Sequence, residues 1–238
     1  MFRKLLLALM LAALAVPEAR AQPQEETVVL LHGLIRSHRS MAKMERALQQ
    51  AGYRTCNIGY PSRRHTVGVL AREHILPEIE SCAPEGPVHF VTHSLGGILV
   101  RVLAEEGQLP RMGRVVMLGP PNQGSEVVDA VGSWWLFGKL NGPAGGELGT
   151  GPDSVPNTLG PATFEVGVIA GTRSINWINS SLIDGRDDGK VSVERARLEG
   201  MQDFIEVPST HTFMMRSGRV IRQALHFLEA GQFDRGES

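Results

Sequence analysis

Pro87-Val88-His89-Phe90-Val91-Thr92-His93-Ser94-Leu95-Gly96-Gly97-Ile98-Leu99-Val100-Arg101 decides how this chain is read. A continuous apolar run to Thr92 predicts a buried strand, and Leu95, Ile98, Leu99, Val102 and Leu103 predict a helix with a broad apolar face. Ser94 stands in the turn between them. If strand and helix join there without a loop, the turn is strained and the serine projects above the sheet toward the N-H groups that open the helix. Gly96 and Gly97 supply the room such a crossing needs, whereas Thr92 occupies the upstream position where a glycine fits best. The ordinary alternative is a serine that caps the helix.

Outward from this stretch, short β-rich runs alternate with helical periodicity. The runs are Val28 to Leu31, Tyr53 to Tyr60, Val88 to Thr92, Val115 to Leu118, Glu165 to Ala170 and Phe204 to Val207. Between them lie a helix marked by Met41, Met44, Leu48 and Ala51, and a second marked by Val67, Leu70, Ala71, His74, Ile75 and Ile79 that Pro77 should kink. A last amphipathic helix carries Val220, Ile221, Leu225 and Leu228. The pattern predicts an α/β domain with a mostly parallel central sheet of about six strands and helices on both faces. A Gly- and Pro-rich segment at about 120–161 interrupts it, and loops of that length are usually functional or partly disordered.

At 238 residues and 42% hydrophobic content the chain can bury one sizeable core. Arg3, Lys4, the apolar run Leu5 to Val16 and Ala19-Arg20-Ala21 predict a signal peptide over 1–21, leaving a domain over 22–238. The run is shorter than the ~20 residues that span a bilayer. Cleavage after Ala21 would leave 21 basic and 24 acidic residues, a balance that offers nothing to nucleic acid. An exported compartment, periplasmic or extracellular, would permit Cys56 and Cys82 to pair; two buried thiols are the alternative.

An acyl-transfer site needs a hydroxyl nucleophile, a base, an acid that holds the base and donors for an oxyanion. Ser94 is the candidate nucleophile. His32-Gly33 ends the first strand, which places the Leu34 N-H, with that of Leu95, as the oxyanion donors; His32 itself is assigned to shaping the loop. His93 adjoins Ser94 but neighbouring side chains diverge on such a turn. Asp184, Asp187 and Asp188 offer the acid in a loop without the spacing of an EF-hand. His211, in a loop between the sixth strand and the last helix, is the candidate base. No close His/Glu pair has metal-ligand spacing, and no metal or organic cofactor is implied.

With "LLHGL", "VTHSLGGILVR", "LGPPNQGSE", "DDGKVSV" and "STHTFMM" the chain resembles the α/β-hydrolase superfamily, in particular small bacterial lipase- and esterase-like members. The resemblance implies the order Ser94, Asp188, His211, with Asp187 in reserve for the acid. The apolar cluster Trp134, Trp135, Leu136 and Phe137 gives the insertion a lid-like reading, as a wall for an acyl chain, with a helix packed on the core as the equal alternative. Ser125 is expected only to start a helix; Arg101 resembles an arginine often found in the helix behind the nucleophile of lipase-like members, with a surface ion pair as its ordinary explanation. The expected substrate is a small-molecule or lipid ester, with transient contact at a lipid interface. A thioesterase, an acyltransferase or a non-catalytic binding protein of the same fold stand as alternatives.

Overall fold

The computed structural model describes residues 26–131 and 135–236, with the backbone alone for 131 and 135–140. The signal-like segment and Trp134 lie outside them. Six strands, β1 (Thr27–Leu31), β2 (Arg54–Ile58), β3 (Val88–His93), β4 (Met112–Leu118), β5 (Val166–Gly171) and β6 (Asp203–Val207), form one sheet in the order β2-β1-β3-β4-β5-β6. Every pairing is parallel.

Alternation along the strands sorts the core into two layers, because successive side chains leave a strand on opposite faces. Val28 and Leu30 of β1, with Val91, Val116 and Ile169, meet α1 (Ala42–Gln50) and α9 (Gly218–Ala230). Val29 and Leu31, with Phe90, Val115 and Met117, meet α4 (Leu95–Glu105) and the helical rod over 67–82. That rod comprises α2 (Val67–Val69), a π-helical stretch (Leu70–Ile75) and α3 (Leu76–Cys82). The expected kink at Pro77 is absorbed in a wider turn, in which the Leu76 N-H reaches back five residues to Ala71 O. Proline lacks the donor that a regular turn needs there. Cys56 in β2 and Cys82 at the end of α3 are joined as a disulfide, with their Cα atoms 6.1 Å apart.

The chain runs outward from β1 to β2, then crosses back to lay β3 on the other side of β1. Strand order therefore reverses between β1 and β3, and a crevice opens beyond their carboxyl ends. Ser94 and the loop after Leu31 emerge at that crevice. The insertion between β4 and β5 contains α5 (Glu126–Val131), α6 (Trp135–Gly146) and α7 (Val155–Thr158).

Candidate active site

Ser94 joins β3 to α4 with no intervening loop, at φ 53° and ψ −120°. A serine held there is strained. It sits where a cap would, yet its side chain makes no cap hydrogen bond, so the capping alternative is set aside. The strain persists because the surroundings fix it: the Ser94 N-H donates to Leu118 O at 2.9 Å, and a Cβ on Gly96 would lie 2.7 Å from Leu31 O. Thr92 is wholly buried, with Oγ1 3.5 Å from Val116 O. A Cβ on Gly97 would come within 3.3 Å of that same Oγ1. Gly97 thus leaves space for the threonine that stands in the upstream position.

Asp188 and His211 meet behind Ser94. Asp188 Oδ2 lies 2.7 Å from His211 Nδ1, while Oδ1 accepts the N-H groups of Lys190 (3.0 Å) and Val191 (2.9 Å). The His211 N-H also donates to Asp188 O at 2.9 Å. Both side chains are buried. Asp187 turns elsewhere, its Oδ1 accepting from Ser180 Oγ and the Gly189 N-H, and Asp184 is exposed. Of the three aspartates, Asp188 alone holds the imidazole. Gly119, at φ +53°, leaves the pair its space: a Cβ there would fall 2.8 Å from Asp188 Oδ2 and 3.2 Å from His211 Nδ1. Gly171 does the same behind Asp188 Cβ.

The loop after β1 is held from β2's side. His32 is wholly buried and stacks on Tyr60 with ring centroids 4.0 Å apart. Its Nε2 accepts the Tyr60 N-H (3.3 Å), which leaves Nδ1 to carry the proton and donate to Gly33 O (2.8 Å). The Tyr60 hydroxyl donates to His32 O, and Ser62 Oγ accepts the Ile35 N-H at 3.2 Å. In a trans peptide C=O and N-H point opposite ways, so fixing Gly33 O toward His32 turns the Leu34 N-H away from it. Among the described residues neither the Leu34 nor the Leu95 N-H has a hydrogen-bond partner. Burial holds the His32 pKa down to about 4, so the ring is neutral at pH 7. Ile35, at φ 59°, and Ser94 are the two non-glycine residues with positive φ among those described. Both face one cavity.

That cavity, of about 380 Å³, is lined by Leu34, Ser94, Val127, Val128, Leu148 and His211 among others. Apolar walls with a few converging polar groups suit an acyl chain. Among the described residues no hydrogen bond joins Ser94 Oγ to His211, whose Nδ1 is taken up by Asp188; hydrogen bonds between a nucleophile and its base often tighten only around substrate. His93 is not idle despite its direction: buried beside Ser94, its Nε2 lies 3.0 Å from His211 O, tying the serine strand to the histidine loop. Burial, then the nearby His211, pushes its pKa well down. A larger hollow of about 540 Å³ at the amino end of the sheet, against Glu26, His89 and Arg114, lies away from all of these groups.

Two expectations about the insertion are corrected. Arg101 makes no surface ion pair; it is buried, and donates to Asn122 O (2.9 Å) at the start of the insertion and to Leu159 O (3.1 Å) and Gly160 O (3.3 Å) at its end. Burial lowers its pKa to about 10. Ser125 does precede α5, but its hydroxyl reaches across to Lys190 O at 2.7 Å, joining the insertion to the Asp188 loop. The end of α6 and the residue after it are docked: the Ala144 N-H donates to His65 O, and Glu147, just past the helix, accepts the Val67 N-H. Trp135, Leu136 and Phe137 lie in α6, but their side chains are outside the described set, as is all of Trp134.

Sequence reasoning named Ser94, Asp188, His211, Leu34 and Leu95, and the structure brings them to one crevice. It missed Tyr60, Ser62 and Gly119. The first two act across the sheet, and no local pattern marks them; "LGPPNQGSE" contains Gly119, but the need for that glycine arises only from its folded neighbours Asp188 and His211.

No protein-family model and no curated protein matches the sequence. Solved structures do resemble this one. The mature lipase BlEst2 of Bacillus licheniformis is 21% identical, with 88% of this chain and 93% of that chain covered and a TM-score of 0.68. Against the propeptide form of the same lipase the chain spans 53% of the length. An extracellular α/β-hydrolase from a Paenibacillus species is 14% identical over 84% of this chain and 97% of that one, with a TM-score of 0.55. The type II thioesterase YbtT is 15% identical over 87% and 94%, at 0.56. The fold is that of the α/β-hydrolases. Within it this chain presents six parallel strands and a single insertion of three helices among the described residues.

Proposed function

We propose that the protein is an exported serine hydrolase of carboxylic esters, with acyl or lipidic esters as its substrates. Ser94 Oγ attacks the ester carbonyl while His211 Nε2 takes its proton, and Asp188 stabilises the imidazolium through Nδ1. The Leu34 and Leu95 N-H groups receive the oxyanion. Collapse breaks the ester C-O bond, and His211 returns the proton to the departing alcohol. Water, deprotonated by the same His211, then cleaves the acyl-serine and releases the acid. The chain supplies each of these groups itself.

One observation carries the reading: a strained, uncapped Ser94 shares a cavity with a His211 that a buried Asp188 holds by one ring nitrogen. Export is supported by the signal-like residues 1–21 and by the Cys56–Cys82 disulfide, a bond favoured outside reducing compartments. The likeness to lipases and to a thioesterase agrees with acyl chemistry, and a thioester or acyl-acceptor reaction would use the same groups.

The test is Ser94→Ala. Hydrolysis of an acyl ester series should fall by about 10⁴-fold or more with the fold unchanged by circular dichroism, and a fluorophosphonate should label the wild type at Ser94 alone. Wild-type turnover by the variant would refute the triad. A wild type that neither reacts with the probe nor turns over any ester or thioester would favour a binding protein.

A further inference from the structure

Because every strand is parallel, the loops that follow the strands gather at one end of the molecule. The exposed large apolar side chains of the described residues are Ile35, Ile175, Trp177, Ile178, Leu182 and Phe213, and all of them lie in those loops. Trp177 is 78% exposed and Ile175 70%. A soluble surface rarely concentrates such side chains in one place unless something covers them. Charge at the same end says what does. The loops after β1, β2 and β6 (32–41, 59–66 and 208–217) contain Arg36, Arg39, Arg63, Arg64 and Arg216 and no Asp or Glu, in a chain whose net charge is −1. Arg173 and Lys190 add to them from the loop after β5, which also carries the exposed carboxylates Asp184 and Glu194, the latter paired with Arg197, while the insertion after β4 carries the exposed Asp129 and Asp153. Arg36, Arg39, Arg64, Arg173, Lys190 and Arg216 form no salt bridge among the described residues.

We propose that this end docks on an anionic phospholipid surface, with the Trp177 loop, containing α8 (Trp177–Ser180), entering the headgroup layer and the arginines meeting lipid phosphates. Tryptophan and aliphatic tips at the same end of the sheet as Arg36, Arg39, Arg64, Arg173 and Arg216, which form no salt bridge among the described residues, match both halves of such an interface. Docking so would present the Ser94 cavity, whose rim includes Ile35 and Arg36, to the lipid. The proposal goes beyond the reaction: it concerns where the molecule sits and is read by binding.

The exported form, residues 22–238, is floated with vesicles of pure phosphatidylcholine and of an equimolar mixture with phosphatidylglycerol. Binding should favour the anionic vesicles and weaken with salt. Arg64→Glu combined with Arg216→Glu should reduce binding to anionic vesicles by about 30-fold or more, since each basic residue near such a surface contributes about five-fold. Trp177→Ser combined with Ile178→Ser should lower binding to both. Hydrolysis of a soluble short-chain ester should be retained in both double variants. No flotation by the wild type, or equal flotation by wild type and both variants, overturns the proposal. So does a dimer in sedimentation that Trp177→Ser abolishes, because a second copy would then cover the patch. Vesicle binding without ester turnover would leave docking standing and remove the reaction instead.

Discussion

Thr92 and Gly97 exchange space across the turn that carries Ser94. A Cβ at position 97 would press to 3.3 Å on both Thr92 Oγ1 and Met117 Sδ, closer than most such contacts. Gly97→Ala should therefore cost about 1 kcal/mol, a modest case of overpacking. Thr92→Gly should cost about 1–2 kcal/mol for its lost packing in a buried strand, while ester hydrolysis stays measurable. In the Thr92→Gly background the alanine finds room, so the two changes should be non-additive by about 1 kcal/mol. Urea denaturation of the four proteins measures this, and strict additivity would disprove the exchange. At this scale the sequence was most informative where a role is carried by neighbours in the chain. Ser94 and its flanking residues form a local pattern, and Asp188 holds Lys190 and Val191 N-H groups within its own turn. Tyr60 and Ser62 support the Leu34 loop from 27–28 residues away, a relation made only by strand pairing.

Among the elements, the insertion is the part whose character changed most on folding. Its composition predicted a loop with a lid-like role, yet its two ends are held together by one buried guanidinium. Arg101 projects from α4, directly after the Ser94 turn, and donates to carbonyls on both sides of the insertion. Replacing it with methionine would keep the bulk but leave buried carbonyls unpaired. Hydrogen bonds to charged groups contribute about 1.5–3 kcal/mol each and unsatisfied groups are expensive, so we expect a loss of about 3 kcal/mol. In a domain of this size that lowers the melting temperature by roughly 6–12 °C. A melting temperature within error of wild type would show that the clamp is dispensable. The apolar stripe of α4 was readable by its period, but the period says nothing of an arginine on a helix that packs on both sides.

For the molecule as a whole, buried histidines set a pH limit. His32 titrates at about 4 when folded and near 6.5 when unfolded, and burial lowers His93 and His89 as well. Below pH 6.5 the unfolded chain binds protons that the folded one refuses, so stability falls as pH drops from about 6.5 toward 4 and is full above that window. His32 alone should remove roughly 2 kcal/mol at pH 5. Urea midpoints at pH 7.5 and pH 5 test this: equal midpoints would contradict it, and His32→Gln should flatten the dependence. Alternating strand and helix signals made the parallel sheet legible from the sequence. The reversal between β1 and β3 was not, since no residue records on which side of its neighbour a returning strand is laid.

The disulfide encloses residues 57–81 in a covalent ring, and within that ring lie both Tyr60 and Ser62. Among the described residues β2 is an edge strand, paired only with β1. The tie between Cys56 and Cys82 thus secures the outermost strand together with the props of the Leu34 N-H. Without that bond the same props would still be held by the pairing of β2 with β1 and by their own hydrogen bonds, so the covalent ring acts by limiting how far the outermost strand and the Leu34 loop can open together.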